Sequence, residues 1–396
     1  MSKASDIYDV VIAGGGPAGT SAAIHLALAG AHVFLAEQKK FPRAKLCGEF
    51  ISPECLEYFE LLGVAPEMMR AGGAELTETV FYSRSGKCVN VPSAWFGKEH
   101  TRGALGLSRA EMDARLLSRA REVGVEVQEE THAHALLLEE RRVRGLRLKR
   151  RGQSFEARAH VVIDATGRKG VLARQIERNE AHGRAAKRGS PLVAFKAHLE
   201  NARGVADHCE IYFYKRGYGG LSHVENGLSN LCFIASARDV RACAGDAQRV
   251  MREVVMKNKR AAQTLENARA RSSWLAVALE GFGRRRIVPA EGLVCIGDAA
   301  SFIDPFTGSG MLMALESGEV VSRSVARHLA ALRNGESFAG LERDYRMDYD
   351  RAFRARLRVC ALMRRAAFVP RMAETLIFAL SASRRARRAL ALSTRC

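Results

Sequence analysis

The sequence lacks several things, and each gap removes a class of protein. No apolar run reaches the roughly eighteen residues needed to cross a bilayer, so no transmembrane helix is expected. The N-terminal stretch MSKASDIYDV is polar and has no signal-peptide core, so a cytoplasmic location is expected. Nine cysteines lie scattered from Cys47 to Cys396 without a CxxC pair. That spacing argues against a disulfide framework and against structural zinc. His132 and His134 form an HxH pair with no third ligand near it in sequence, so no metal site is expected. Internal repeats and low-complexity linkers are missing too.

Acidic residues are also in short supply. Lysine and arginine number 62 against 43 aspartates and glutamates, a formal net charge of +19. The imbalance is greatest at the end, where residues 351–396 hold twelve arginines and one acid, Glu374. Such a tail suits an anionic partner, or it is a solvated basic face. Within it Phe368, Met372, Leu376 and Leu380 recur every four residues, with Val369 and Ile377 beside them. That spacing predicts a helix with an apolar stripe from about residue 370. Arg364 and Arg365 precede the stripe, and Arg384, Arg385, Arg387 and Arg388 follow it. Two arrangements satisfy the pattern. The helix lies in an anionic membrane surface as a peripheral anchor, or it packs as a lid over the protein's own substrate site.

What is present is an ordered series of α/β signals. The chain has 396 residues, 47% of them hydrophobic, enough for a large core. Residues 9–13 read as a buried parallel-type strand, 18–29 as an alanine-rich helix ended by Gly30, and 32–36 as a second strand. Between the first two stands GGGPAG, with Gly14, Gly16 and Gly19 in GxGxxG register. Gly14 permits the tight turn, Gly16 lets the backbone approach a pyrophosphate, and Gly19 lets the helix pack on the strand. Pro17 and Ala18 open a helix whose free N–H groups face the phosphates. Glu37, followed by Gln38, closes the second strand where an acid accepts ribose hydroxyls. This βαβ unit fits a ribose with a free 2′-OH, and both NAD and FAD carry one.

Further along, 107–123 reads as a helix with Ser108 as its N-cap and Glu111 in the capping-box position. Strands are expected at 125–129 and 134–138, a hairpin at 142–149 and 154–159, and a buried strand at 161–164. From 191 to 237 the strands lengthen, with Glu225-Asn226-Gly227 as a hairpin turn. The pattern reads as an antiparallel layer, joined by residues 75–82. Parallel-strand character returns at 293–296, followed by a glycine-rich stretch and a helix to about 329. The fold expected is therefore α/β: a Rossmann-like domain with an inserted antiparallel β-sheet substrate domain and a helical C-terminus. The dinucleotide domain takes three segments, 1–74, 106–188 and 291–330. The substrate strands take 75–105 and 189–290, and a basic helical region takes 331–396.

Three motifs carry a family resemblance. IDATGRKG, with Asp164, Ala165 and Gly167, resembles the second fingerprint of the aromatic-hydroxylase class of flavoproteins, and CIGDAASFIDPFTGSGMLMALESG resembles the third. The resemblance implies a non-covalent FAD. Gly297 and Asp298 would meet its ribityl chain and pyrophosphate. Pro305, Gly308, Gly310 and Met311 would bring backbone and a helix N-terminus near the flavin ring. Arg109 would reach the cofactor from a helix start. FPRAKLCGEFISPE resembles a segment of the geranylgeranyl reductases and the flavin-dependent halogenases that runs along the flavin. There Arg43, Cys47 and Gly48 would lie against the cofactor. Cys47 and Glu49 are the candidate catalytic groups, although an ion pair of Glu49 with Arg43 or Lys45 is the simpler expectation. The halogenases carry a Trp-x-Trp-x-Ile-Pro element, whereas the two tryptophans here, Trp95 and Trp274, stand far apart. The resemblance implies reduction of a C=C bond in an isoprenoid or lipid, with NAD(P)H as reductant. The alternative is a monooxygenase that hydroxylates or epoxidises a hydrophobic substrate. Nucleic acid is not an expected partner.

Overall fold

The computed structural model describes residues 7–97, 103–180, 191–367 and 372–395. The first strand, Tyr8–Ala13, lies at the middle of a seven-stranded sheet. Val33–Ala36 pairs parallel on one side, with Glu126–Gln128 beyond it. Gln153–Asp164 pairs parallel on the other, followed by Leu293–Cys295. Helices cover one face of these strands, while Thr131–Glu139 and Arg142–Arg150, with Ile176 of the helix Ala173–Glu180, cover the other, so their residues are apolar without alternation. Val10, Val11 and Ile12 are fully buried.

The change of pattern near residue 160 predicts two strands, at 154–159 and 161–164. The structure has one, Gln153–Asp164. Its first half pairs antiparallel with Arg142–Arg150, and its second half pairs parallel with Tyr8–Ala13. A change of neighbour, without a break in the strand, produces the change of pattern.

Two helices cross on one face of this sheet. Pro17–Leu28 packs against Gly310–Arg333 at backbone distance, because the contact is made of small residues. Ser21 Oγ donates to Leu315 O at 2.8 Å, and Ser322 Oγ donates to Ala22 O at 3.1 Å. A Cβ on Gly318 would lie 2.7 Å from Ala22 N. The alanine-rich sequence of the first helix is what this approach requires.

The second sheet has eight strands. Leu192–Glu200, Ser229–Ser236, Gly217–His223 and His208–Tyr214 follow one another antiparallel, with Leu275–Leu279 paired to the first. The turn at Glu225–Gly227 is present, with Asn226 at φ +60° and Gly227 at φ +68°. The segment 75–82 divides between two sheets. Glu78–Tyr82 joins the large one and runs parallel, not antiparallel, to His208–Tyr214. Ala74–Leu76 belongs to a small three-stranded sheet with Phe50–Ile51 and Ala104–Gly106.

Short helices at Ala237–Ala242, Ala247–Glu253 and Lys259–Leu265 back this sheet; the sequence pattern does not announce them. The chain ends in three helices, Ala339–Ala367, Met372–Ala382 and Arg384–Ser393. Phe368 and Val369 of the expected stripe lie outside the described residues. Among the described residues, no helix is long and apolar enough to cross a membrane.

One buried amide ties the second sheet to its helices. Asn258 caps Lys259–Leu265 by accepting from Arg260 N and Ala261 N, and its Nδ2 donates to the carbonyls of Tyr82, Ser83 and Phe213 at 2.9–3.1 Å. Asn258→Leu keeps the volume and strands all of these groups out of water. The expected cost is about 3 kcal/mol. Denaturant unfolding checks this, and a loss below about 1 kcal/mol would show that the amide is dispensable.

Candidate active site

A cavity of about 1070 Å³ lies between the two sheets and draws its walls from both. An ordinary small-molecule pocket holds roughly 300–1,000 Å³, so there is room for a large ligand and part of a second. One end is polar and the other apolar.

The polar end is built on the glycine turn. Gly14 sits at φ +110°, and a Cβ there would come 2.3 Å from Ala165 O. A Cβ on Gly19 would meet Gly14 O at 1.9 Å, so these two glycines are demanded by packing. Gly16 differs. Its φ of −76° suits any residue, and a Cβ would point into open cavity with Arg109 Nη2, at 4.0 Å, as its nearest neighbour. Glu37 accepts from Gly15 N at 2.8 Å and Lys39 N at 2.9 Å, so its carboxylate also orders the turn. Arg43 lies between Glu37 and Asp113, at 3.8 and 3.2 Å.

Cations converge on this end. Burial works against the charge of Arg109, but two 2.8 Å bonds to Asp113 outweigh it and raise the guanidinium further. Burial pushes the Lys45 ammonium down, with Arg43 and Arg109 adding to the effect. Burial pushes the Asp298 carboxyl up, opposed by Arg109, Lys45, Arg168 and Arg285. Four cations around one carboxylate leave a positive cradle beside free helix N–H groups. That donor set fits a pyrophosphate.

Of the residues the sequence assigns to a cofactor, Gly14, Gly16, Pro17, Ala18, Glu37, Gln38, Arg43, Cys47, Gly48, Arg109, Ala165, Gly167, Gly297, Asp298, Pro305, Gly308, Gly310 and Met311 line this one cavity. Gly19 and Asp164 do not. Gly19 serves helix packing. The Asp164 carboxylate is spent on its own loop, accepting from Thr166 N, Thr166 Oγ1, Leu172 N and Ala173 N. It shapes the Ala165–Gly167 turn, which does line the wall.

Glu49 has different partners from those expected. Its side chain is fully buried on a backbone at φ +54°, and it meets neither Arg43 nor Lys45. Oε1 accepts from Lys196 Nζ and from Arg109 N at 2.8 Å, while Oε2 lies 2.6 Å from His198 Nε2. Burial alone would raise this carboxyl, but the His198 bond and the Lys196 charge hold it below the usual glutamate range. Lys196 and His198 belong to Leu192–Glu200, a strand of the substrate sheet. From the next strand, Asn230 Nδ2 donates to Cys47 O at 3.1 Å and Gly48 O at 2.8 Å. The Cys47–Glu49 segment is thus gripped by the substrate sheet. The Cys47 thiol stays half-buried on the cavity wall within reach of Arg109.

The opposite wall is the loop Asp304–Gly308. Asp304 is buried, which pushes its carboxyl up, and it accepts from Tyr218 OH and Phe306 N. Phe306 packs among Phe81, Phe213 and Tyr218, with ring centroids 5.4–5.9 Å away. Arg395 pins the far side of this loop. It donates to Thr307 O at 2.9 Å and to Ser309 Oγ, and it pairs with Glu54 at 3.1 Å. Sequence reasoning misses Lys196, His198, Asn230 and Arg395. A lysine and a histidine two apart in the otherwise apolar LVAFKAHLE are the available signal. Arg395 has none, being one arginine among many.

Two substitutions test this geometry. Gly16→Val should fold normally and lose its dinucleotide, because the new side chain fills the approach to the turn. A Gly16→Val protein that purifies with full flavin absorbance contradicts the assignment. Lys196→Met strands a buried carboxylate and should cost about 3–5 kcal/mol at neutral pH. The parent's Glu49 is depressed, so its contribution is present above the ordinary glutamate range and is lost as pH falls through the depressed value. In the variant His198 and the Arg109 amide still hold the carboxyl, but the Lys196 charge is gone, so it protonates at higher pH than in the parent. The gap between the two proteins should then shrink on acidification. Unfolding curves from neutral to acid pH read this directly, and a gap that does not change with pH rules the pairing out.

Residues 7–355 match the family described as FAD binding domain. Digeranylgeranylglycerophospholipid reductase 2 of Methanopyrus kandleri is 26% identical over 356 residues, covering 87% of this chain and 83% of that protein. Menaquinone reductase of Mycolicibacterium smegmatis is 26% identical over 349 residues, covering 79% and 75%. Among solved structures, a flavin-dependent brominase superposes with a TM-score of 0.82 at 21% identity, covering 99% of this chain and 94% of that one. A geranylgeranyl bacteriochlorophyll reductase-like protein of Thermoplasma acidophilum gives 0.79 at 19%, covering 99% and 97%. Identities that low speak to the fold alone. By this match, together with its dinucleotide turn and its cation cradle, the chain belongs to the FAD binding domain family and is an FAD-dependent oxidoreductase.

Proposed function

We propose that the protein reduces C=C bonds in the isoprenoid chain of a lipid, with NAD(P)H as the electron source. The apolar half of the cavity carries this reading. Beyond Phe306 the walls are Phe81, Val89, Phe213, Ile234, Ile377 and Leu380, a long surface that suits an alkyl or polyprenyl chain. The relatives at 26% identity bear names for reduction of a digeranylgeranyl lipid and of menaquinone, which agrees with that chemistry. FAD, when bound, supplies a hydride in one two-electron step. The chain's own residues do the rest. The apolar walls hold the alkene and keep water out. The Asp304–Gly308 loop fixes how close the alkene comes to the polar end. A hydride at one carbon needs a proton at the other, so that two C–H bonds replace the π bond. We assign that proton to the thiol of Cys47, which lines the same cavity. No second GxGxxG occurs in the chain, so a nicotinamide would deliver its electrons through the same cavity.

The test is anaerobic turnover. The holoprotein, reduced with NAD(P)H or with dithionite, is mixed with a geranylgeranyl phospholipid, and the product is weighed. A gain of two hydrogens per bond supports the proposal. A product that carries oxygen and needs air selects the monooxygenase instead. Cys47→Ala should keep its FAD and slow the reaction about a hundredfold or more, in the range general-acid groups contribute. An unchanged rate removes Cys47 from the chemistry.

A further inference from the structure

The outer end of the cavity is closed by the three C-terminal helices, and the middle one has two different faces. Inward, Ile377 is 4% exposed and packs with Phe213, Tyr218 and Ile234, with Leu380 partly buried beside it. This is the lid arrangement. Outward, Phe378 is 68% exposed and Leu376 38%, while Leu362 on Ala339–Ala367 is 68% exposed. Leu362 and Leu376 also line the cavity. A leucine that lines a cavity and is also open to solvent marks a mouth. The apolar half therefore opens to the surface between two helices, through an apolar rim.

The arginines around this end divide into two sets. Arg356 pairs with Glu316, Arg364 with Asp304 and Arg395 with Glu54, while Arg387 donates to Asn90 Oδ1. These serve the fold. Arg351, Arg354 and Arg358 are exposed on Ala339–Ala367, as are Arg384, Arg385 and Arg388 on Arg384–Ser393. Among the described residues none of these six has a carboxylate partner. Upstream on the same long helix the arrangement is different: Arg346 pairs with Glu342, Arg327 with Asp348 and Arg284 with Asp350. After Asp350 the sequence offers no acid until Glu374. Along Ala339–Ala367, therefore, the described arginines without a carboxylate all follow Asp350, in the half of the helix that carries the exposed Leu362. Lys87 adds one more cation, 5.9 Å from the Phe378 ring centroid.

We propose that this face docks on an anionic lipid bilayer, so that a chain passes between Leu362 and Leu376 into the cavity. Exposed leucine and phenylalanine enter the headgroup boundary, and unpaired arginines meet lipid phosphates. A soluble acidic protein would match the charge but has no use for an apolar rim that opens into a cavity. The biological purpose rests on the lipid-reductase reading. The physical evidence for the surface does not.

Co-sedimentation of the full-length holoprotein tests it, with vesicles of phosphatidylcholine alone or mixed with phosphatidylglycerol. Binding should appear with the mixed vesicles at low salt and weaken as salt rises. Each arginine at such a surface should change partitioning about fivefold, so the combined Arg384→Gln, Arg385→Gln, Arg388→Gln variant should bind about a hundredfold more weakly. Phe378→Ser should weaken binding even at a salt concentration where the arginine variant and the parent converge. Both variants should keep their FAD absorbance, since neither set of side chains reaches the polar end. Equal recovery in the supernatant with both vesicle types at low salt overturns the proposal. So does vesicle binding that ignores Phe378→Ser while a DNA duplex binds as tightly, because the arginines would then be a general polyanion site. No turnover is measured here. Failure of the alkene assay leaves this result standing, and failure of docking leaves the reductase reading standing.

Discussion

The buried carboxylate of Glu49 is the constraint on which the site depends. It brings together groups from three parts of the chain: the segment after the second strand, the start of the Arg109–Glu122 helix and the middle of the substrate sheet. Removing a carboxylate from water costs several kcal/mol unless its lone pairs are filled. Here the side chains of Lys196 and His198 and one backbone N–H fill them. The same bonds hold a left-handed backbone at φ +54°, which a residue with a side chain adopts only at a cost of about 1–2 kcal/mol. The gain from the pairing offsets the strain, and the result is positional. Cys47 and Gly48 cannot move relative to the substrate sheet without exposing an uncompensated charge.

The loop facing them is held by different physics. Asp304–Gly308 is anchored on one side by ring contacts to Phe306 and on the other by Arg395, which lies 86 residues beyond Ser309. Burial lowers the Arg395 guanidinium from its ordinary value, opposed by Glu54. Against that cost Arg395 has the carbonyl of Thr307, the hydroxyl of Ser309 and the charge of Glu54. The cavity between the two sheets therefore has one wall fixed by a buried ion cluster and the other by aromatic packing and an arginine from the end of the chain.

Local patterns in the sequence made the first βαβ unit legible. Strand, glycine turn and helix are decided within about thirty residues, by periodicity and by backbone freedom at Gly14. Each fingerprint motif is contiguous as well, and most of its residues line the one cavity. What stayed hidden depends on distance. Lys196 and Glu49 are 147 residues apart, and no spacing rule joins them. Proximity in sequence even misleads: Arg43 and Lys45 flank Glu49, yet Arg43 turns to Asp113 and Lys45 lies toward Asp298. Asp164 misleads in a related way. An acid at the end of a buried strand looks like Glu37, but the backbone N–H groups of Leu172 and Ala173 fold back to take its carboxylate.

The tail shows why composition underdetermines structure. Twelve arginines in residues 351–396 look equivalent in a charge count. In three dimensions Arg356, Arg364 and Arg395 each sit on a carboxylate, while others nearby have none. Whether an arginine is structural or free depends on which side of the helix meets an acid from elsewhere: Glu316, Asp304 or Glu54. Those acids sit in Gly310–Arg333, the cavity loop and Pro53–Leu61. The acids of the fold were therefore the scarce partner. With 43 of them to 62 cations in the chain, Arg356, Arg364 and Arg395 took the acids within their reach, and Arg351, Arg354, Arg358, Arg384, Arg385 and Arg388 were left exposed without one among the described residues.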